Sequence, residues 1–218
     1  MPSPLLVERN ASDPLPEFRR TPAIYIHPER LHSCLPYLPA ALTERMLTVA
    51  RLHPRLSEII ISHYGLVECS ACDRGSSDCG AAAWPVDRLT RLAHRAGAVW
   101  HAGALRSLIL GRSLAPLLAA FDEDLRAVAI RHIDLAAEAT PRIDMGDVAE
   151  AIRRDGMHCL NAWVTELRPC SRERVILKFP LKSAIGGPVS PTHHARGVLI
   201  IRRLLAETDA APPAGMRQ

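Results

Sequence analysis

Residues 85–138 read PVDRLTRLAHRAGAVWHAGALRSLILGRSLAPLLAAFDEDLRAVAIRHIDLAAE and carry the clearest helical pattern of the chain. Apolar residues recur there every three or four positions, which is the spacing of one helix face. The first stripe consists of Leu89, Leu92, Ala93, Ala96, Val99, Trp100 and Gly103. The second consists of Leu125, Val128, Ala129, His132, Ile133 and Ala136. Amphipathic helices joined by short turns bury their stripes only by packing together, so this stretch predicts a helical core.

Helical patterns also dominate on either side of this stretch. Apolar stripes predict a helix that starts at Pro39, another that starts at Pro54, and longer ones after Asp144 and Thr192. The segment RVILKFP (174–180) is the only strand candidate, because it is compact and contains β-branched residues. The sequence therefore predicts a mainly α fold, a single multi-helix domain with at most a minor β element near 174–180.

The distribution of proline and small polar residues suggests where this domain begins and ends. Residues 1–17 contain several prolines without apolar periodicity and are expected to form a mobile leader. The helical domain is expected over 18–206, with an exposed loop at 66–84, and residues 207–218 are expected to form a disordered tail.

Composition limits the class of partner. The formal charge is +4, and almost all basic residues are arginines that alternate with acidic residues. Aromatic residues make up only 4% of the chain, whereas nucleic-acid binders tend to interleave aromatics with clustered cations. No apolar run approaches the roughly 20 residues that span a bilayer. The N-terminus also lacks the basic start and apolar core of a secretory signal. These features predict a cytoplasmic protein that binds no nucleic acid and is not inserted in a membrane.

A possible metal site is the Cys69-x-x-Cys72 pair, with Cys79 nearby. Two thiolates at this spacing can share one Zn²⁺, and His63 or Cys79 would complete a tetrahedral set. A strong zinc signature has a second ligand pair, however, and a thioredoxin-like redox pair lies in a βαβ setting. Cytosolic thiols in a variable loop are therefore preferred, and a zinc- or redox-responsive module is an alternative.

The histidines do not form a recognisable catalytic motif. His94, His101 and His132 would share a metal if their helices brought them together, but partly buried, hydrogen-bonded histidines are far commoner. The pair His193–His194 has no nucleophile recognisable beside it in the sequence, and the common nucleophile, zinc and nucleotide motifs are absent. The sequence therefore predicts no catalytic residue, no cofactor and no metal, and the protein is expected not to be an enzyme.

Three arginines lie opposite the first apolar stripe. Arg88, Arg91 and Arg95 stand at positions i, i+3 and i+7 of one helix, and we call them the basic ridge. A solvated helix face is the ordinary interpretation of this pattern. The functional interpretation is a docking ridge for an acidic partner, because arginine binds carboxylates through two parallel hydrogen bonds.

Three motifs occur in order along the helical part of the chain. The first is P-A-x-Y-[IL]-H at 22–27, within FRRTPAIYIHPERLHSCLP. The second is R-L-A-x-x-A-G-x-x-x-H-x-x-x-L-R at 91–106, and the third is AIRHIDLA at 129–136. Together they resemble the K-type accessory proteins of bacterial type III secretion systems, the SctK family, which includes YscK, PscK, HrpD and the rhizobial nodulation protein NolU. The chain looks like NolU in particular. The resemblance covers about 18–206 in family order.

This resemblance implies a non-enzymatic adaptor without a cofactor. Family members are cytoplasmic components of the sorting platform, peripheral to the inner membrane beneath the secretion apparatus. They link the SctD-type inner-membrane ring protein to the pods built from SctQ-type protein, and the SctL-type stator is a further candidate partner. Likeness to NolU implies a plant symbiont, with a pathogen as the alternative. A DNA-binding regulator is the remaining alternative function.

Overall fold

The computed structural model describes residues 14–68, 77–107, 121, 125–137 and 147–210, and within them the fold is helical, with no strand. The α-helices are α1 (Pro14–Arg20), α2 (Pro28–Cys34), α3 (Ala40–Leu47), α4 (His53–Tyr64), α5 (Ser77–Ala82), α6 (Val86–Trp100), α7 (Ala102–Ser107), α8 (Leu125–Arg131), α9 (Val148–Glu166), α10 (Pro169–Leu177) and α11 (Pro191–Ala210). Short 3-10 segments cover Pro22–Ile24, Ala50–Leu52 and Ile133–Leu135. The predicted mainly α fold is confirmed.

The centre of the molecule is formed by α6, α9 and α11, which pack against one another. The first sequence stripe supplies the buried face of α6 as far as Trp100, whereas Gly103 lies beyond the helix and is exposed. Large side chains from all three helices are fully buried there, among them Leu89, Trp163 and Ile200. Burial of apolar surface stabilises a fold by about 25 cal/mol for each Å² removed from water. The contact among these three helices therefore supplies much of the driving force for folding.

Glycines let the three central helices approach until their backbones touch. A Cβ atom on Gly97 of α6 would overlap the carbonyl oxygen of Ile152 in α9, and one on Gly156 of α9 would overlap the carbonyl oxygen of Ala93. Gly197 of α11 lies against Cys159, where a Cβ would stand 2.9 Å from the Cα. The crossing points therefore require the absence of a side chain.

Two further apolar clusters flank this centre. One joins α7, α8 and the start of α9 beneath the far end of α6. In this cluster α8 packs against α6, as the two stripes predicted, although α9 is the main partner of α6. The other cluster joins α2, α4 and the first 3-10 segment to Leu177, the last residue of α10. The N-terminal third therefore has an apolar cluster of its own, which reaches α10 at Leu177.

The strand predicted near 174–180 is wrong, because residues 169–177 form α10 and a turn follows. Pro169 suits the first position of a helix, where no amide partner is lost. Arg174 is 2% exposed and donates to the carbonyl oxygens of Arg19, Val67 and Cys170. Lys178 is 3% exposed and donates to those of Ala82 and Trp84, both at 2.6 Å. The segment is therefore a helix that ties distant backbone segments together.

Helices occupy residues of the expected leader, loop and tail at three places. Helix α1 starts at Pro14, inside the expected leader, and brings Phe18 into the core, where the Tyr25 hydroxyl donates to its carbonyl oxygen at 2.8 Å. Helix α5 forms inside the expected loop, and α11 continues to Ala210, into the expected tail. Phe18, Ala81 and Ala82 are buried in the core, and Glu207 contacts His132, so these positions gain contacts that an exposed chain lacks. The rest of the predicted leader, loop and tail lies outside the described residues.

Candidate partner-binding surface

The basic ridge lies on the face of α6 that points away from α9. Its N-terminal end is fixed by Lys178, which holds the carbonyl oxygens of Ala82 and Trp84 just before α6 begins. Arg88 is exposed, and its guanidinium carbon lies 3.5 Å from the centre of the Trp84 ring in a cation–π contact. Arg91 is exposed and makes no hydrogen bond or ion pair with any residue that the structure describes. This end of the ridge presents its cations to solvent.

The other end of the ridge is bound to the last turns of α11. The Arg95 guanidinium lies 3.8 Å from a carboxylate oxygen of Glu207, and Arg131 of α8 lies 3.5 Å from the same oxygen. The His132 ring lies 2.9 Å from the other oxygen. Burial by itself raises the pKa of Glu207, but His132, Arg131 and Arg95 outweigh that effect, so the pKa lies below its usual range. Two arginines share one carboxylate, which leaves positive charge in excess.

The sequence pattern treated the three arginines as equivalent, and the structure separates them. Arg88 and Arg91 are exposed, whereas the side chain of Arg95 is only 23% exposed and has an internal partner. Sequence reasoning missed Glu207 and Arg131, because an ion pair between helices far apart in the chain leaves no local spacing signal. The role of the ridge in partner binding stays a prediction.

The histidines considered as metal ligands have separate environments. His101 is 2% exposed, and its Nε2 lies 2.8 Å from Asp155 Oδ2. His132 contacts Glu207, and His94 stands edge-on to the Phe121 ring with centroids 5.0 Å apart. Burial, aided by the charge of Arg153, lowers the pKa of His94. His101 and His132 are thus buried beside carboxylates, whereas the contact given for His94 is with a ring.

Asp155 is the centre of a second polar cluster, at the end of α6. Burial raises its pKa, but hydrogen bonds from His101 and Arg154 and their charges prevail, so its carboxyl pKa lies well below the usual range. The His193 ring stacks on Trp100 at 4.3 Å, and its Nε2 lies 3.8 Å from Asp155 Oδ1. This cluster joins the last residue of α6 and the first turn of α11 to the middle of α9.

A hydroxyl does lie beside His193, contrary to the sequence interpretation, because Ser190 Oγ is 2.8 Å from His193 Nδ1. Serine, histidine and Asp155 thus follow one another in space as in a hydrolase triad. Ser190 Oγ, however, also accepts the backbone N–H of His193 at 3.2 Å, which is the arrangement of a helix N-cap. The 3.8 Å gap to Asp155 exceeds hydrogen-bond length, and the Trp100 ring covers the imidazole. The arrangement therefore serves as a helix cap.

Two of the four residues considered for a zinc site fall outside the residues that the structure describes. Cys69 and Cys72 lie outside the described residues, Cys79 is half-buried in α5, and His63 is exposed on α4. Within the described ranges, no three side chains of histidine, cysteine, aspartate or glutamate lie close enough to hold a metal ion. No helix in the same ranges is long and apolar enough to cross a membrane.

Comparison with known proteins identifies the family. A family model described as YOP proteins translocation protein K (YscK) matches residues 16–204. Nodulation protein NolU of Rhizobium fredii is 29% identical over 223 residues, which cover 98% of this chain and 99% of that relative. Nodulation protein NolU of Sinorhizobium fredii (strain NBRC 101917 / NGR234) is 31% identical over 193 residues, or 86% of this chain and 85% of that relative. No solved structure matches. The resemblance carried by the three sequence motifs is thus confirmed, and the chain belongs to the YscK family of proteins associated with type III secretion.

Proposed function

We propose that this chain is a non-enzymatic adaptor in the sorting platform of a type III secretion system. In this role it links the SctD-type inner-membrane ring protein to the pods of SctQ-type protein, and effector export depends on it. The SctL-type stator is a further candidate partner. The adaptor is cytoplasmic, lies peripheral to the inner membrane, and needs neither a cofactor nor a nucleic acid. Membership of the YscK family supports this assignment most directly.

The basic ridge is the surface that we assign to partner binding. Arg88 and Arg91 present exposed guanidinium groups on one face of a helix whose opposite face is fixed in the core. Each guanidinium can form two parallel hydrogen bonds to a carboxylate, which favours an acidic segment of the ring protein or the pod protein. Complementary charge of this kind speeds association and fixes the register of the two surfaces.

The group around Glu207 extends this surface beyond α6. Arg131 has a side chain that is 59% exposed, and it stands beside Arg95 on the same carboxylate. An acidic partner would thus meet cations from both α6 and α8, held at a fixed separation by Glu207. Such pre-organisation reduces the entropy lost on binding.

Co-purification from the native organism tests the adaptor role. A tagged chain expressed at its normal level should recover the SctQ-type and the SctD-type proteins together, and deletion of its gene should stop effector export. In the deletion strain, a tagged SctQ-type protein should no longer recover the SctD-type protein. Normal effector export from the deletion strain would contradict the proposal, and so would recovery of neither partner.

A further inference from the structure

Two cysteines from distant parts of the chain meet beside one hydroxyl group. Cys79 Sγ in α5 lies 3.9 Å from Ser171 Oγ, and Cys170 Sγ, in the first turn of α10, lies 4.0 Å from the same oxygen. Both thiols are half-buried, and the serine between them is only 5% exposed. Both cysteine residues are therefore partly exposed to solvent, and both sulfurs approach the same oxygen.

The two other described cysteines have different surroundings. Cys34 donates to the carbonyl oxygen of Arg30 at 3.3 Å, in the N-terminal layer. Cys159 is fully buried against Gly197, and burial, helped by the charge of Asp155, raises the pKa of its thiol far above the usual range. Neither has a second described cysteine recorded beside it, so Cys79 and Cys170 stand out as a pair.

The backbone on both sides of this pair is held in place. Asp78, next to Cys79, accepts a hydrogen bond from the Trp163 indole at 2.9 Å and contacts Arg202 at 3.3 Å. The carbonyl oxygen of Cys170 accepts from the buried Arg174 at 2.9 Å. Cysteine has one side-chain torsion, so rotation about that bond is the main freedom that remains to each sulfur. A disulfide needs specific geometry, so rotation of the side chains must bring together two sulfurs that both lie about one contact distance from Ser171 Oγ.

We propose that Cys79 and Cys170 form a reversible intramolecular disulfide when a hydroperoxide reaches the protein. One thiolate attacks the peroxide oxygen, the O–O bond breaks, and a sulfenic acid forms while the hydroperoxide leaves as an alcohol, or as water from hydrogen peroxide. The second thiolate then attacks the sulfenic sulfur and expels hydroxide, which takes up a proton to give water. Two thiols are thereby oxidised to one disulfide, and one peroxide is reduced. A dithiol reductant reverses the change.

The bond would join α5 to α10 directly. Helix α5 immediately precedes α6, and Lys178 near the end of α10 already holds the carbonyl oxygens between α5 and α6. A covalent link across a loop this long removes conformations from the unfolded chain. The oxidised protein should therefore melt at a higher temperature than the reduced protein.

Peptide mapping of the full-length protein tests the proposal. Trypsin releases Cys79 in peptide 75–88 and Cys170 in peptide 155–172, while Cys69 and Cys72 fall in peptide 56–74. After hydrogen peroxide treatment and alkylation of the remaining thiols, we expect peptides 75–88 and 155–172 joined, with their link removed by dithiothreitol. The rate of linking should not depend on protein concentration, because the reaction is intramolecular.

Single cysteine-to-serine variants identify which two sulfurs form the disulfide. Cys79→Ser and Cys170→Ser should each abolish the linked pair, whereas Cys34→Ser should leave its yield unchanged. The Cys170→Ser variant is needed because peptide 155–172 also contains Cys159. Persistence of the link in Cys170→Ser, attachment of peptide 75–88 to peptide 56–74 instead, or full alkylation of both thiols after peroxide would each overturn the proposal.

Discussion

The two faces of α6 are built for opposite purposes. On the buried face, Gly97 stands against the backbone of α9, and Trp100 is 7% exposed beneath the His193 ring. On the outer face, Arg88 and Arg91 extend into solvent. A methyl group added at Gly97 has no space, whereas reversing the charge of Arg88 gives up only an exposed contact with the Trp84 ring. Substitutions in one short helix can therefore separate effects on folding from effects on partner binding.

The largest effect on folding should come from Trp100→Ala. Removing this ring leaves a cavity at the meeting point of the three central helices and strips the His193 imidazole of its stacking partner. We expect a loss of about 3–5 kcal/mol in the free energy of unfolding, typical of a buried tryptophan. Chemical denaturation followed by circular dichroism measures this loss. An unchanged midpoint would show that the ring contributes little to the core.

Gly97→Ala tests the close contact between helices without removing any atom. Its Cβ would overlap the Ile152 carbonyl oxygen, so α6 and α9 must move apart, at a cost of about 3 kcal/mol. Gly103→Ala is the matched control, because nothing lies within 4 Å of the Cβ it would add in α7. The control should change stability by less than about 1 kcal/mol, in the favourable direction expected for alanine in a helix. Equal destabilisation by both changes would contradict the crossing geometry.

Asp155→Asn tests the polar cluster at the end of the buried face. Losing the carboxylate leaves His101 without its charged partner and should cost about 2–3 kcal/mol at neutral pH, because the pair is largely buried. The pKa of Asp155 is lowered in the folded protein, so its stabilising contribution is present above the ordinary carboxyl pKa and is lost as the pH falls through the folded value. The stability gap between wild type and variant should therefore narrow below about pH 4. A gap that stays constant in unfolding curves recorded from neutral to acidic pH would contradict this.

Local patterns predicted what depends on local spacing. The stripe ending at Trp100 and the packing of α8 on α6 follow from apolar residues three and four apart. The buried cations Arg174 and Lys178 could not be predicted, because their acceptors are backbone oxygens of distant segments, and this contributed to the wrong strand at 174–180. The pairing of Arg95 with Glu207 was missed for the same reason, since the two residues meet only after α6 and α11 pack together.

The outer face of α6 should contribute little to folding. Changing Arg88, Arg91 and Arg95 together to glutamate should lower the free energy of unfolding by at most about 1 kcal/mol for each exposed charge. Most of the loss should come from Arg95, because a glutamate there would face Glu207. Thermal melting of the triple variant measures this loss. Unfolding at room temperature would show that the ridge belongs to the fold.

Binding by that same triple variant tests the central claim most directly. Titration calorimetry measures the affinity of the variant for the purified SctQ-type protein and for the cytoplasmic domain of the SctD-type protein. In the control variant, three other arginines become glutamate: Arg45, Arg51 and Arg55, which are exposed on α3 and α4 or between them. Both variants change the net charge equally, so a difference reports position on the surface. We predict about tenfold or greater weakening for at least one partner with the ridge variant, and near-normal binding by the control. Wild-type affinity of the ridge variant for both partners would contradict the assignment of this face to partner binding.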